Sequence, residues 1–371
     1  MRMTCLIIGA VLGLAFVGGC QTPAPREPSA PGPESDPQLS VHTLLAAPAD
    51  YALKRIGTLE YPLPTYAEFL KGVRICLDPG HGGDADKRGY KRGPTGVREA
   101  EMNLRIAQYL RDCLETAGAE VRLTREDDVA ISLEDRAAIA TEWGADLFLS
   151  LHHNAINNKP QVNRTTVWYH DDVDYRPANL DLARYLCFGL LDGLALPEVT
   201  GVPLKSDQLM YASGFGILRN ATVTAALVES SFFTNPDEEQ RLRDPAYNLQ
   251  EAYGLFIAFA RYAAAGLPRT QLIAPADGVL PAGAERRLVF QLDDGLRSRG
   301  SWGSDRQMIL SDSLAVRVDG VAVPFEFTNE DYHLVVDLPV ELVPGQHAVE
   351  VQFQNMYKNS VLNPHFTIEV P

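Results

Sequence analysis

Positive charge is what this 371-residue chain is short of: 33 lysines and arginines stand against 48 aspartates and glutamates, a formal net charge of -15. So acidic a surface repels phosphate backbones, which argues against nucleic acid as a partner, and it gives anionic lipid nothing to attract. Cysteine is sparse too, with five in all. Cys5 and Cys20 lie near the N terminus, and Cys76, Cys113 and Cys187 sit among apolar neighbours. Three thiols cannot all pair within one chain, so buried free thiols are expected rather than a disulfide framework, and nothing supports a Cys76–Cys113 bridge. No internal repeat is visible. The apolar run Cys5–Val17 falls short of the roughly 20 residues a spanning helix needs. What remains is ordinary globular composition, 46% in the hydrophobic class, at a length that suggests two domains.

The N terminus reads as a targeting segment. Arg2 supplies a short positive region, the run Cys5–Val17 has signal-peptide length, and Val17-Gly18-Gly19-Cys20 closes it. This ending resembles the lipobox of bacterial lipoproteins, which implies cleavage after residue 19 and a diacylglyceryl group on the Cys20 thiol. Gln21, rather than Asp, resembles the signal for outer-membrane sorting in a Gram-negative cell. The expected location is therefore the cell envelope, as a periplasmic lipoprotein attached to the membrane through Cys20. Residues 21–40 are rich in Pro, Ser, Glu and Gly and read as an extended tether. Residues 41–69 are a short preface without an assignable role.

From residue 70 to 268 the pattern is α/β. Strands are expected at Val73–Leu77, Val121–Leu123, Leu147–Leu151, Thr165–His170, Gly216–Arg219 and Thr224–Glu229. Helical spacing marks Met102–Ala117 and Asn179–Leu194. Ser132 with Asp135 opens a helix that runs to Gly144, and Asn235-Pro236 and Asp244-Pro245 each pair a cap with a proline at the first helical position. Alternating strands and helices give a sheet of about six strands covered on both faces. The stretch Pro197–Phe215 is irregular and is a candidate cover for the cleft. Beyond Pro268 the helical period vanishes. Arg287–Leu292, Leu314–Val318, Val321–Phe327, Leu334–Leu338 and His347–Phe353 alternate, with the hairpin signal Asp319-Gly320 between two of them. Residues 269–371 thus read as a smaller all-β sandwich, immunoglobulin-like, with no legible role.

Three apolar strands end in residues that bind metal or move protons: Asp78-Pro79-Gly80-His81-Gly82-Gly83, Ser150-Leu151-His152-His153-Asn154-Ala155 and Leu227-Val228-Glu229-Ser230-Ser231-Phe232. Ligands of open α/β sheets bind at the carboxyl ends of strands, so the three can share one crevice. A fourth segment, Arg98-Glu99-Ala100-Glu101-Met102-Asn103-Leu104, opens a helix. In this order the four segments resemble the zinc-dependent N-acetylmuramoyl-L-alanine amidases, over about 200 residues from Val73 to the helix after Glu229. The resemblance implies that His81, Glu99 and His152 bind Zn2+, that Glu229 is catalytic, and that peptidoglycan or its muropeptides are cut between the muramoyl lactyl group and L-alanine. Leu123-Thr124-Arg125, Ser132 to Arg136 and Leu218-Arg219 match as well; Asn154 and Arg219 are candidate substrate contacts.

The chemistry is coherent on its own terms. Two imidazoles and one carboxylate are a common catalytic zinc set with an open fourth position. A second carboxylate must then move the proton, because an amide leaves poorly as an anion. Taken singly, each residue has a plainer reading: Glu99 as charge at a helix start, Glu229 as an ion-pair partner of Arg219, a histidine as a surface group. His153 faces away from His152 on a regular strand and is read as a non-ligand lining the cleft. His170 is a weaker candidate for substrate contact; Cys76 is read as buried rather than ligating; His42, His333, His347 and His365 are read as structural. The basic loop with Lys87, Arg88, Lys91 and Arg92 has two readings, contact with the substrate's carboxylates or plain solvation, and is read as solvated. Two other functions stay open: a non-catalytic wall-binding lipoprotein, and a zinc peptidase cutting within the stem peptide. A protein activator is not legible.

Overall fold

The computed structural model describes residues 57, 60–196, 201–280, 285–297, 308–328 and 330–371. The expected signal segment, the lipobox with Cys20, the tether and His42 lie outside the described residues. Among the described residues no helix is long and apolar enough to cross a membrane.

Six strands form one mixed sheet: β1 (Arg74–Pro79), β2 (Glu120–Leu123), β3 (Leu147–Asn154), β4 (Thr166–Tyr169), β5 (Leu204–Ser206) and β6 (Thr224–Phe232). Their spatial order is β2-β1-β3-β6-β4-β5. The first four in that order run parallel, β4 is antiparallel to β6, and β5 is parallel to β4. The helices are α1 (Glu99–Thr116), α2 (Leu133–Trp143), α3 (Ala178–Leu194), α4 (Gly216–Asn220), α5 (Pro236–Arg243) and α6 (Pro245–Ala264). Their caps follow from local sequence. Ser132 accepts from the Asp135 N–H, Asn235 from the Glu238 N–H and Asp244 from the Ala246 N–H, each satisfying a donor that the helix start leaves free. Gly144 ends α2 in the left-handed conformation.

Alternation along the strands decides which face each residue serves. Ile75, Leu77, Leu147, Leu149, Leu151, Ala226 and Val228 join the large core with residues of α1, α3 and α6. Cys76, Phe148, Ala225 and Leu227 point the other way and pack with Ala137 and Ala140 of α2 and with Ile217 and Leu218 of α4. Asp78, Ser150, His152 and Glu229 share the parity of this second face. Cys76, Cys113 and Cys187 are buried and free.

Two expectations change. Gly216–Arg219 is helix α4, not a strand: Ile217 and Leu218 are adjacent and both buried, and so short an apolar run does not distinguish the two by periodicity. The sixth strand is instead β5, three residues inside the stretch read as irregular, added at the sheet's edge. Helix α1 also begins at Glu99, three residues before the apolar period, with Glu99 and Glu101 in its first turn where carboxylates favour the helix dipole.

After Pro268, proposed here as the domain boundary, the architecture becomes antiparallel. Strands β7 (Arg269–Ala274), β8 (Arg287–Asp293), β12 (His333–Asp337) and β11 (Glu326–Phe327) form one sheet; β9 (Ala315–Val318), β10 (Val321–Ala322), β13 (Gly345–Gln352) and β14 (His365–Val370) form the other. Leu288, Phe290, Leu334 and Val336 from the first meet Val316, Val318, Val349, Val351 and Ile368 from the second in one apolar cluster, a sandwich; its immunoglobulin-like kinship stays a proposal. Asp319 and Gly320 both have positive φ, as the two-residue turn between β9 and β10 demands. The sandwich is stitched to the α/β part: Leu362 enters the large core, Ser360 N–H donates to Asp181, and the Asn355 and Asn359 amides donate to the carbonyls that end α6.

Candidate metal centre

The site is built where β1, β3 and β6 end and α1 begins. His81 follows β1, Glu99 is the first residue of α1, and His152 lies near the end of β3. Each offers one ligand atom, and the three atoms lie within 4.8 Å of one another. His81 Nε2 is 3.1 Å from Glu99 Oε2, and His152 Nδ1 is 3.0 Å from Glu99 Oε1. The two imidazoles meet edge to face with centroids 4.8 Å apart. His81 Nε2 and Glu99 Oε2 are both buried and neither has a hydrogen-bond partner. Buried polar atoms left in this way point to a group that would satisfy both, and the donor set suits a divalent ion.

Electrostatics hold the ligand atoms in the forms a metal takes. Burial alone pushes the Glu99 carboxyl up, but the hydrogen bond with His152 and the close approach of His81 hold it well below the usual range. Burial lowers His152, and Glu99 only partly opposes this, so the neutral imidazole is favoured.

The strand-to-loop turn is fixed from behind. His81 has φ of 60°, a left-handed conformation that costs a non-glycine residue energy and persists only where its surroundings impose it. Those surroundings are two buried arginines. Arg125 donates from Nε to the Pro79 carbonyl at 2.8 Å and from Nη2 to Gly80 at 2.9 Å; Arg136 donates from Nη2 to the His81 carbonyl at 2.7 Å. Arg136 also pairs with Asp78 Oδ1 at 2.7 Å, and Thr124 and Ser150 hydroxyls donate to the same carboxylate. Gly80 lies against His152: a Cβ there would fall 2.2 Å from that ring's Cε1. No separate role for Arg125 and Arg136 is legible from residue pattern, because most of their partners are backbone carbonyls, which carry no residue signature.

Glu229 stands directly opposite His152 in the β3–β6 register, so both side chains emerge on the same face. Its Oε2 is buried without a hydrogen-bond partner. Burial, then the Glu99 charge, pushes its carboxyl well above the usual range, while Lys91 draws it down. No ion pair with Arg219 forms: that guanidinium is exposed and donates to the Ser213 carbonyl.

The remaining candidates separate. His153 does not line the cleft. It is buried on the opposite face, between Asn103 of α1 (2.9 Å) and Glu251 of α6 (3.2 Å). His170 lies past the end of β4, which runs antiparallel to β6, so it is carried toward the start of β6 and away from Glu229. There it bonds Asp207 at 2.8 Å and lines a cavity of about 580 Å³ with Arg219 and Val223. His170 therefore sits at the end of the sheet opposite to the metal centre. Asn154 is partly buried and uses its Oδ1 to accept from the Ala155 N–H. Cys76 belongs to the apolar cluster under α2. His347 pairs with Asp319, His333 with Asp331, and His365 stacks on Tyr175. Of the basic loop, Arg88 is exposed, but Lys91 is not merely solvated: its Nζ lies 3.7 Å from Glu99 Oε2.

Comparison with known proteins meets this geometry. The chain is 31% identical over 195 residues to the probable cell wall amidase LytH of Staphylococcus aureus, an alignment covering 52% of this chain and 60% of that protein's length. Among solved structures, AmiC2 of Nostoc punctiforme is 27% identical with a TM-score of 0.45, covering 52% of this chain and 98% of that one. An N-acetylmuramoyl-L-alanine amidase from Clostridium difficile 630 is also 27% identical, TM-score 0.46, covering 52% and 97%. Residues 75–258, which carry all four site residues, match the family model for N-acetylmuramoyl-L-alanine amidase. Over residues 75–258, just under half of its length, the chain thus carries a domain that matches the N-acetylmuramoyl-L-alanine amidase family.

Proposed function

We propose that the protein hydrolyses the amide between the muramoyl lactyl group and L-alanine of peptidoglycan or its fragments, and that it does so with zinc. The observation that carries this reading is the convergence of His81, Glu99 and His152 within 4.8 Å, with two buried atoms among them, His81 Nε2 and Glu99 Oε2, that no hydrogen bond satisfies. Two imidazole nitrogens and one carboxylate oxygen fit zinc and leave room for a further ligand. When bound there, the ion supplies polarisation of the scissile carbonyl and acidifies the attacking water.

The protein's own groups do the rest. Glu99, kept ionised by its two histidines, contributes negative charge at the centre. Glu229 is the proton carrier: a carboxylate pushed upward by burial takes a proton from the water and returns it to the departing nitrogen. Arg125 and Arg136 hold the His81 turn so that its ring does not wander from Glu99.

Glu229→Gln is the test. The variant is expected to keep about one zinc per chain and to lose release of stem peptides with a free N-terminal alanine, read by mass spectrometry of digested muropeptides. Full activity in that variant would refute the assignment. Cleavage inside the stem would mark a peptidase instead.

Placement in the envelope follows from the relatives; attachment through a lipidated Cys20, with outer-membrane sorting, is our proposal from the lipobox. The intact mass of the mature chain checks it: an unmodified cysteine at the new N terminus would remove the anchor.

A further inference from the structure

Lys91 occupies a place that the amidase reading leaves unexplained. Its ammonium lies 3.7 Å from Glu99 Oε2, outside hydrogen-bond range, on a side chain that is 37% exposed. That oxygen is the same one turned toward His81 Nε2. A divalent ion taken up by this carboxylate would face a second positive charge beside it, which opposes metal binding. Such an arrangement becomes favourable when an anion enters between the two.

The position is built in. Lys91 has φ of 48°, and its carbonyl accepts the N–H of Glu99 at 3.0 Å, which ties it to the first residue of α1. The Arg92 guanidinium donates to the carbonyls of Ala85 and Gly96, closing the loop on itself. Buried Glu239 accepts from the N–H groups of Thr95 and Val97 and packs against Gly93 where a Cβ would collide. Three arginines around the turn are committed: Arg98 to Asp84, Glu101 and Asp128, Arg125 to carbonyls, Arg136 to Asp78. Among the described residues the one carboxylate within 4.0 Å of Lys91 is that of Glu99, and the Lys91 charge also reaches Glu229.

We propose that Lys91 recognises a substrate anion: its ammonium binds a carboxylate beside the scissile amide, so that the enzyme favours peptides with a free carboxylate there over their carboxamide counterparts. This rests on the amidase reading. A compact ammonium with three donors matches a carboxylate brought in by the substrate, and half exposure leaves it reachable.

The experiment uses two acetylmuramoyl-alanyl peptides that differ only in a carboxylate or a carboxamide on the residue after alanine. Wild type, Lys91→Met and Lys91→Arg are compared for kcat and KM on both, and for zinc affinity by chelator competition without substrate. Wild type should prefer the acid by about tenfold or more, Lys91→Met should lose that preference through KM for the acid alone, and Lys91→Arg should keep part of it. Zinc should bind Lys91→Met no more weakly than wild type. An unchanged acid-to-amide ratio in Lys91→Met, or a loss of zinc in that variant, overturns the proposal while the amidase reading stands. If wild type cleaves neither peptide, the amidase reading fails and takes the proposal with it.

Discussion

The α/β part and the sandwich bury charge in very different ways. In the first, Asp78, Arg98, Glu99, Glu101, Arg125, Arg136, Glu238, Glu239 and Glu251 are all withdrawn from solvent. In the sandwich, Asp294 is the one buried carboxylate among the described residues, and it serves a loop by accepting the Leu296 and Met308 N–H groups. Its two sheets meet through one apolar cluster. Burying an ion is costly unless partners surround it, so a protein that keeps so many together is using them for geometry as well as for cohesion. Those around the metal centre fix backbone at the ends of β1 and β3, where ligand atoms must be held. The sandwich needs only volume and alternation.

The largest test of this contrast is Asp78→Asn. It strands Arg136 as a buried charge, and the expected loss is about 3–5 kcal/mol in urea unfolding, accompanied by weaker zinc binding. Leu334→Ala in the sandwich should cost a comparable or smaller amount, about 2–5 kcal/mol, yet leave zinc affinity untouched. If Leu334→Ala released the metal, the two regions would not be independent in the way described. A smaller effect is set by pH. Burial raises Asp78, but Arg136, Thr124 and Ser150 together hold it below the ordinary aspartate value. A depressed carboxyl contributes stability above its unfolded pKa of about 3.9 and loses it as pH falls through the folded value. The stability gap between wild type and Asp78→Asn should therefore narrow as unfolding is followed below about pH 4. A gap that stays constant there would show that Asp78 is not ionised in the fold.

Much of the site could be read in the sequence because metal ligands and proton carriers need particular side chains. His81, Glu99 and His152 do converge, and Glu229 emerges beside His152. Caps at Ser132, Asn235 and Asp244 were equally plain, being local bonds between near neighbours. What stayed hidden depended on long-range partners or on weak patterns. Nothing in Lys91 itself places it at Glu99; the loop's attachment to Glu239, more than 140 residues away, does. Strand β5 is three residues long and α4 five, too short for either period to show. β7 has only partly buried or exposed residues, which erases alternation. His365–Val370 forms β14, a strand absent from the expected set, which pairs with β13 along six residues.

The left-handed His81, gripped through its own carbonyl by Arg136 and through its neighbour's by Arg125, has one more consequence. In small zinc modules the ion organises the polypeptide, and chelation unravels it. Here the receptacle proposed for zinc is shaped by guanidinium groups outside the three-residue ligand set. Exchange of an ion held there would then proceed within an intact chain, and an emptied molecule would need no refolding before it was refilled.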